Sequence, residues 1–98
     1  MTERTNEEWL ADLRGTPEAQ ARALEDLQVR LQRGIFYYLS RERSDLSGLS
    51  NHELTQMSED LAQDATLRVV ENLDSFRGDS MFTTWATRIA VRVAISDL

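Results

Sequence analysis

Asp60 and Asp64 are an acidic pair whose spacing could support chemistry. Their carboxylates are four residues apart, so a helix would present both on one face, where they could bind a metal ion. A metal or catalytic centre needs further partners, such as a histidine pair or more inward-facing carboxylates. His52 is the single histidine, and the chain has no cysteine. We therefore interpret the pair as a solvated or protein-docking acidic face, and the sequence predicts no metal, no cofactor, no catalytic residue and no enzyme activity.

A second group of residues combines aromatic rings with arginines, a pairing that can bind nucleic acid by stacking on bases and contacting phosphates. The group comprises Phe76, Arg77, Phe82, Trp85, Arg88 and Arg92. Taken alone, the rings are more typical of a hydrophobic core, and the arginines of a solvated helix face. The loop that holds the first two residues lacks the GxxxxGK pattern of a phosphate cradle.

Length, composition and charge limit the classes of protein to which the chain can belong. Ninety-eight residues allow one domain. No apolar run approaches the ~18 residues of a membrane span, and the N-terminus has no signal-peptide core, so a cytoplasmic protein without membrane insertion is expected. The net charge of −6 is uneven, because residues 59–73 carry −3 whereas residues 74–98 are neutral and include three arginines. An acidic surface and an arginine-containing surface suggest two different partners.

Helices must position these groups, because no strand alternation is present and apolar residues recur every three or four positions. Thr16 as N-cap and Pro17 at the first helical position start a helix that should end near Ser40. Gly34 weakens this helix by about 1 kcal/mol relative to alanine, but it could allow close packing. The apolar stripe of the helix is Leu24, Leu27, Leu31, Ile35 and Tyr38. The pattern predicts an all-α fold, a three- to four-helix bundle.

Two further helices are predicted after a charged loop. The first opens at a capping box of Ser50 and Glu53 and either continues to Asn72 or breaks near Ser58. The last opens with Ser80 as its N-cap. Its inward-facing residues are predicted to be Phe82, Trp85, Ile89 and Val93.

The two ends of the chain lead to separate expectations. Residues 1–15 are predicted to be a lead-in, and residues 16–98 the helical domain. Trp9, Leu10 and Leu13 could form one helical turn that packs on the domain. The last helix stops at Leu98 without a stop signal, so we expect the chain to be one domain of a longer protein.

Three motifs are the most specific in the chain. They are Glu59-Asp60-Leu61 with Gln63-Asp64, then Leu73 through Ser80, then Phe82 through Trp85 to Arg88-Ile89-Ala90. Together they resemble, without a gap over about forty residues, the second conserved region of extracytoplasmic-function (ECF) sigma factors in the sigma-70 family. The helix at 17–40 resembles the family's first conserved helix more loosely. The resemblance implies a region 2 domain that binds core RNA polymerase and recognises and helps melt the promoter −10 element during transcription initiation.

The resemblance also implies roles for individual residues. Asp60, Leu61, Gln63 and Asp64 fall where the family contacts the clamp helices of the largest polymerase subunit. The residues that fall where the family captures a base flipped from the non-template strand are Ser75, Phe76, Arg77, Gly78, Asp79 and Ser80. Thr84, Trp85 and Arg88 fall where the last helix lines that pocket and supports strand opening. Arg92 stands where many members have an asparagine that helps read the −10 sequence, and it is included among the DNA-binding residues.

Several features leave alternatives open. Val70, Thr83, Thr87 and Ser96 also depart from the common family residues, so the bases that are recognised stay undetermined. The family's separate domain for the −35 element does not occur within these residues, as expected of a fragment. An anti-sigma factor is an expected partner, and one alternative is a helical interaction module that such a regulator binds without direct DNA reading. A small metal-dependent enzyme is the third hypothesis.

Overall fold

Four α-helices and one 3-10 turn form the part of the chain that a computed structural model describes, residues 3–42 and 46–97. The elements are α1 (Asn6–Leu13), α2 (Pro17–Glu42), α3 (Asn51–Glu71), the 3-10 turn Leu73–Ser75, and α4 (Phe82–Asp97). These residues contain no strand, and none of their helices has an apolar stretch sufficient to cross a bilayer. The predicted all-α bundle is confirmed.

Helix boundaries follow the predicted caps with some differences. The Thr16 hydroxyl accepts a hydrogen bond from the Ala19 N–H at 3.2 Å, as expected of an N-cap. Helix α2 then continues to Glu42, two residues beyond the predicted end at Ser40. Part of the charged loop that was predicted to follow, residues 43–45, lies outside the described residues.

Helix α3 runs without a break to Glu71, so the interruption considered at Ser58 does not occur. The Ser50 hydroxyl accepts from the Glu53 N–H at 3.1 Å, which is the first half of the predicted capping box. The second half is absent, because the Glu53 carboxylate accepts from the Ser50 hydroxyl at 3.3 Å and not from the Ser50 N–H.

The hydrophobic core lies between α2, α3 and α4, and α1 covers one end of α2. Helix α2 contributes large aliphatic side chains, whereas α4 contributes alanines that let the helices approach closely. The buried residues of these two helices are Ala23, Leu27, Leu31, Ile35, Leu39, Phe82, Ala86, Ala90, Val93 and Ala94. Two buried hydroxyls on α3, those of Ser58 and Thr66, donate to backbone carbonyls one turn earlier at 2.7 Å, so their burial leaves no unpaired donor.

Ser80 is not the N-cap of α4, and this prediction is wrong. The helix begins at Phe82, and the Ser80 hydroxyl donates to the Met81 carbonyl at 3.3 Å. The first N–H of α4, on Phe82, donates to the Asn6 side-chain oxygen at 2.7 Å. The cap is therefore supplied by a residue 76 positions earlier in the sequence, a distance that local capping rules cannot cover.

Gly34 brings α2 close to α4, in agreement with the expectation that this glycine could allow close packing. A β-carbon at this position would lie 3.0 Å from the Thr87 methyl carbon, tighter than ordinary van der Waals contact. The Thr87 hydroxyl donates to the Thr83 carbonyl at 2.7 Å, which holds that methyl group in place.

Replacing Gly34 with valine should therefore lower the free energy of unfolding by about 1–3 kcal/mol, the usual cost of overpacking, as measured by urea denaturation. Gly48→Val is the matched control, because a β-carbon there meets nothing within 4 Å. Thr87→Ser removes the opposing methyl group and should restore most of the loss in the double variant. Equal stability of the two glycine variants would contradict the close approach.

Candidate docking face and nucleic-acid site

The outer face of α3 carries acidic side chains that point away from the core. Asp60 and Gln63 are exposed, and Asp64 is half-buried. Leu67 follows them on the same face, one or two helical turns further along α3. Within residues 3–42 and 46–97, no acidic side chain of α3 forms an ion pair. We call Asp60, Gln63, Asp64 and Leu67 the acidic face; its charges are free to meet a cationic partner.

Two leucines on α3 lie on different sides of the helix. Leu61 is only 7% exposed and belongs to the hydrophobic core, so its side chain packs α3 onto the bundle and does not share the outer surface with Asp60. Leu67 is 63% exposed, although nothing in the motif singled it out. Its exposure could have been predicted, because Leu67 does not share the helical spacing of Leu61, Ala65 and Val69, which form the buried stripe. A leucine on the outer surface gives the acidic face an apolar side chain at its C-terminal end.

A turn with left-handed backbone lies within the polar loop that connects the 3-10 turn to α4. Gly78 has a φ of 81°, a conformation that L side chains rarely adopt. Arg77, Gly78 and Asp79 are exposed, whereas Phe76 and Ser80 are half-buried. The glycine lets the chain reverse here while the residues before and after it stay anchored.

Four aromatic rings pack together beneath this loop. Phe82 is fully buried and is contacted by Trp9 in a stacked geometry at 5.3 Å, by Phe76 edge-on at 5.4 Å, and by Trp85 at 5.6 Å. Phe76 and Trp85 are 5.1 Å apart and both are half-buried. Phe82 is thus a core residue, and only Phe76 and Trp85 have surface available for a ligand. The prediction that Trp85 and Ile89 face inward is only partly right, because both lie at the margin of the core.

Trp85 and Ser75 each line both of two open pockets, which have volumes of about 290 Å³. The loop pocket is lined by Ser75, Phe76, Arg77, Asp79, Ser80, Trp85 and Arg88. The helix pocket lies between α3 and α4, and its lining includes Arg68, Asn72, Ser75, Trp85, Ile89 and Arg92. Each pocket therefore combines an aromatic wall with hydroxyl or amide groups, two arginines and one aspartate, which is Asp79 in the loop pocket and Asp97 in the helix pocket. The structure brings most of the sequence-predicted loop residues together in the loop pocket, whereas Arg92 lines the helix pocket.

Thr84 lies in neither pocket but in a groove between α2 and α4. This groove has a volume of about 460 Å³, and its lining residues are Arg30, Arg33, Thr83, Thr84, Thr87 and Arg88. Arg30 pairs with Glu3 at 2.5 Å, while Arg33 and Arg88 have no carboxylate within 4 Å in the described part of the chain. Sequence reasoning missed Arg30 and Arg33, because only the contact at Gly34 reveals that their part of α2 faces α4.

No cluster for a metal ion is present in the described ranges, where groups of three or more histidine, aspartate and glutamate side chains do not occur. Asp60 and Asp64 thus have no third ligand of these types in that part of the structure. The chemistry available at the site is that of stacking, hydrogen bonding and charge.

The described residues thus form an all-α bundle with an acidic outer face and two pockets that each have an aromatic wall and arginines. The family described as Sigma-70 region 2 matches residues 30–98. The chain belongs to the sigma-70 region 2 family. Residues 1–29, which include α1, precede the matched segment.

Two curated relatives are similar to parts of the chain. The ECF RNA polymerase sigma-E factor of Escherichia coli (strain K12) is 54% identical over 35 residues, which cover 36% of this chain and 18% of that protein. The RNA polymerase sigma-H factor of Pseudomonas aeruginosa is 44% identical over 43 residues, 44% of this chain and 22% of that protein. The matched segments thus span about a fifth of the length of these relatives. No solved structure matches the chain significantly.

Proposed function

We propose that this chain is the part of a sigma factor that binds core RNA polymerase and holds the melted non-template strand of the promoter −10 element, without catalysing a reaction itself. The observation that carries the proposal is that Trp85 lines two pockets, each of which also contains two arginines. The names and family of the similar proteins support the same role.

The acidic face supports the polymerase half of the proposal. Asp60 and Asp64 are unpaired within the described residues and lie one turn apart, so they suit charge-assisted hydrogen bonds to arginines of a basic helical partner. Leu67 adds exposed apolar area at the C-terminal end of the same face, which a protein partner could cover. In the family, the matching partner is the pair of clamp helices of the largest polymerase subunit.

The two pockets support the strand-binding half. A base that leaves the stack needs a shaped pocket with polar groups at its edge and an aromatic wall. In the loop pocket, Ser75 and Ser80 supply hydroxyls and Trp85 supplies the wall. Arg77, Arg88 and the groove arginines can contact the phosphates between bases. With a net charge of −6, the domain should bind DNA weakly by itself, because phosphate neutralisation dominates nucleic-acid affinity.

The proposal is tested by binding of labelled single-stranded oligonucleotides to the complex of this protein with core RNA polymerase. We expect a library of −10-like non-template sequences to contain members that bind at least roughly tenfold more tightly than their complements, because each favourable base contact is worth about 1–3 kcal/mol. Core polymerase without the protein is the control. Equal affinity for both strands throughout the library would contradict the assignment of the pockets.

The second candidate function is an interaction module that an anti-sigma regulator binds. The exposed Leu67 within the acidic face favours it, because a regulator could cover the same surface as polymerase. In that case no oligonucleotide would perturb the amide NMR signals of residues 75–80. Perturbation of these signals by −10-like strands, with no effect at the acidic face, would favour the first function.

A further inference from the structure

We propose that α1 belongs to the strand-binding site and that Asn6 is the positioning residue through which it acts. This inference rests on the proposed function, since it concerns the loop and the wall of the loop pocket. It goes further by giving a role in strand binding to a helix that lies before the family match at residues 30–98. The partner of the site is the same single strand.

Asn6 makes two hydrogen bonds that hold the junction between the loop and α4. Its side-chain N–H donates to the Ser80 carbonyl at 3.0 Å, and its side-chain oxygen accepts from the Phe82 N–H at 2.7 Å. The two bonds lie on either side of Met81, so one amide group fixes the backbone of the last loop residue. Among the described residues, Asn6 is the one side chain from another element that bonds to the backbone of residues 76–82.

Trp9 carries the second contact between α1 and the site. It is 2% exposed and its ring stacks on Phe82 with an interplanar angle of 20°. Phe82 in turn contacts Phe76 and Trp85, the two rings that line the loop pocket. Movement of α1 would therefore shift the wall of the pocket through the intervening buried ring.

Helix α1 is itself held firmly, so it can act as a support. Thr5 and Glu8 form a complete capping box, with hydrogen bonds of 2.9 and 3.1 Å, which sets Asn6 at the first helical position. Arg4 lies 4.9 Å from the Trp9 ring centre and pairs with Asp26 and Asp12. Hydrogen bonds to these two carboxylates, that to Asp26 first, raise the pKa of Arg4 above its usual value.

The physical reason for a functional effect is preorganisation. The loop contains Gly78 and is largely exposed, so without anchors it would sample many backbone conformations. Ordering it at the moment of strand binding would reduce the observed affinity. Asn6 fixes one end of the loop in advance and leaves the pocket open for a base.

The test uses Asn6→Ala and Asn6→Asp in the full chain bound to core RNA polymerase. Asn6→Ala should weaken −10-like strand binding roughly tenfold, the scale of one or two lost hydrogen bonds, with polymerase affinity within twofold of the unmodified protein. Hydrogen exchange at the Phe82 amide should accelerate. Asn6→Asp keeps an acceptor for the Phe82 amide but loses the donor to the Ser80 carbonyl. The Phe82 amide should therefore stay protected from hydrogen exchange, and part of the strand affinity should be restored. Asn51→Ala, at the first position of α3, is the matched control and should change neither quantity.

Three results would overturn the inference. Faster Phe82 exchange in Asn6→Ala with strand affinity within twofold of the unmodified protein would make the contact purely structural. Parallel loss of strand and polymerase affinity would indicate general destabilisation. Failure of the unmodified complex to prefer any −10-like strand would instead refute the proposed function, and the inference with it.

Discussion

Trp85→Ala is expected to weaken binding of the non-template strand by the polymerase complex roughly 10- to 100-fold, because base stacking on an aromatic ring is worth about 1–3 kcal/mol per base. The ring lines both the loop pocket and the helix pocket, so its removal merges two sites. It is half-buried, and the fully buried Phe82 remains in place to hold the core. Promoter opening, followed by a fluorescent base in the −10 element, should fall in parallel.

Trp85→Phe keeps an aromatic wall and should retain most of the strand affinity. Met81→Ala is the matched control, because Met81 is an exposed residue that adjoins the loop but lines neither pocket. Binding to core polymerase serves as the internal measure of folding. If Trp85→Ala retained full strand affinity, stacking in these pockets would be excluded as the basis of strand binding.

Reversing the charges at Asp60 and Asp64 to lysine is expected to weaken binding to core polymerase roughly 30- to 100-fold, the scale for like-charge contacts within an interface. Both side chains lie on the outer surface of α3 and neither forms an ion pair among the described residues, so the fold should tolerate the change. The loss should appear mainly in the association rate and should shrink as salt screens the repulsion. Surface plasmon resonance with immobilised core enzyme measures both.

Glu25→Lys with Glu42→Lys changes the net charge by the same amount on α2, where both side chains are exposed, and is the control for non-specific electrostatics. This double variant should bind polymerase with nearly unchanged affinity. Leu67→Ala tests the apolar contribution of the acidic face and should weaken binding without altering its salt dependence. Equal loss in the α2 and α3 charge variants would mean that overall charge, and not the acidic face, determines docking.

Helix positions were predictable wherever a local pattern determined them. The stripe of Leu27, Leu31 and Ile35 and the cap at Thr16 all lie within one helix, so periodicity and capping rules sufficed. The start of α4 was not predictable, because Asn6 caps it from a distant part of the chain. Local capping rules favoured the nearest hydroxyl, that of Ser80, but this hydroxyl donates to the Met81 carbonyl and does not cap the helix.

The residues of the candidate site could likewise be predicted only where a local motif determined them. The loop residues and Trp85 were found by resemblance, and the structure gathers them around one pocket. Arg92 was found by the same resemblance but lines the helix pocket instead, because that pocket lies where α3 packs on α4 and no motif encodes this packing. Arg30 and Arg33 were missed for the same reason, since only the packing of α2 on α4 turns them toward Thr84 and Arg88.

A tryptophan that forms a wall for two pockets makes them energetically dependent on each other. Any tilt of the Trp85 ring that enlarges the loop pocket changes the shape of the helix pocket by the same motion. Under the proposed function, two promoter bases held on either side would be read as one unit, because contacts that share a side chain do not contribute additively. The preferred base at one promoter position would depend on the base at the other. Independent base preferences at each position would therefore not reproduce the sequence preference of this domain.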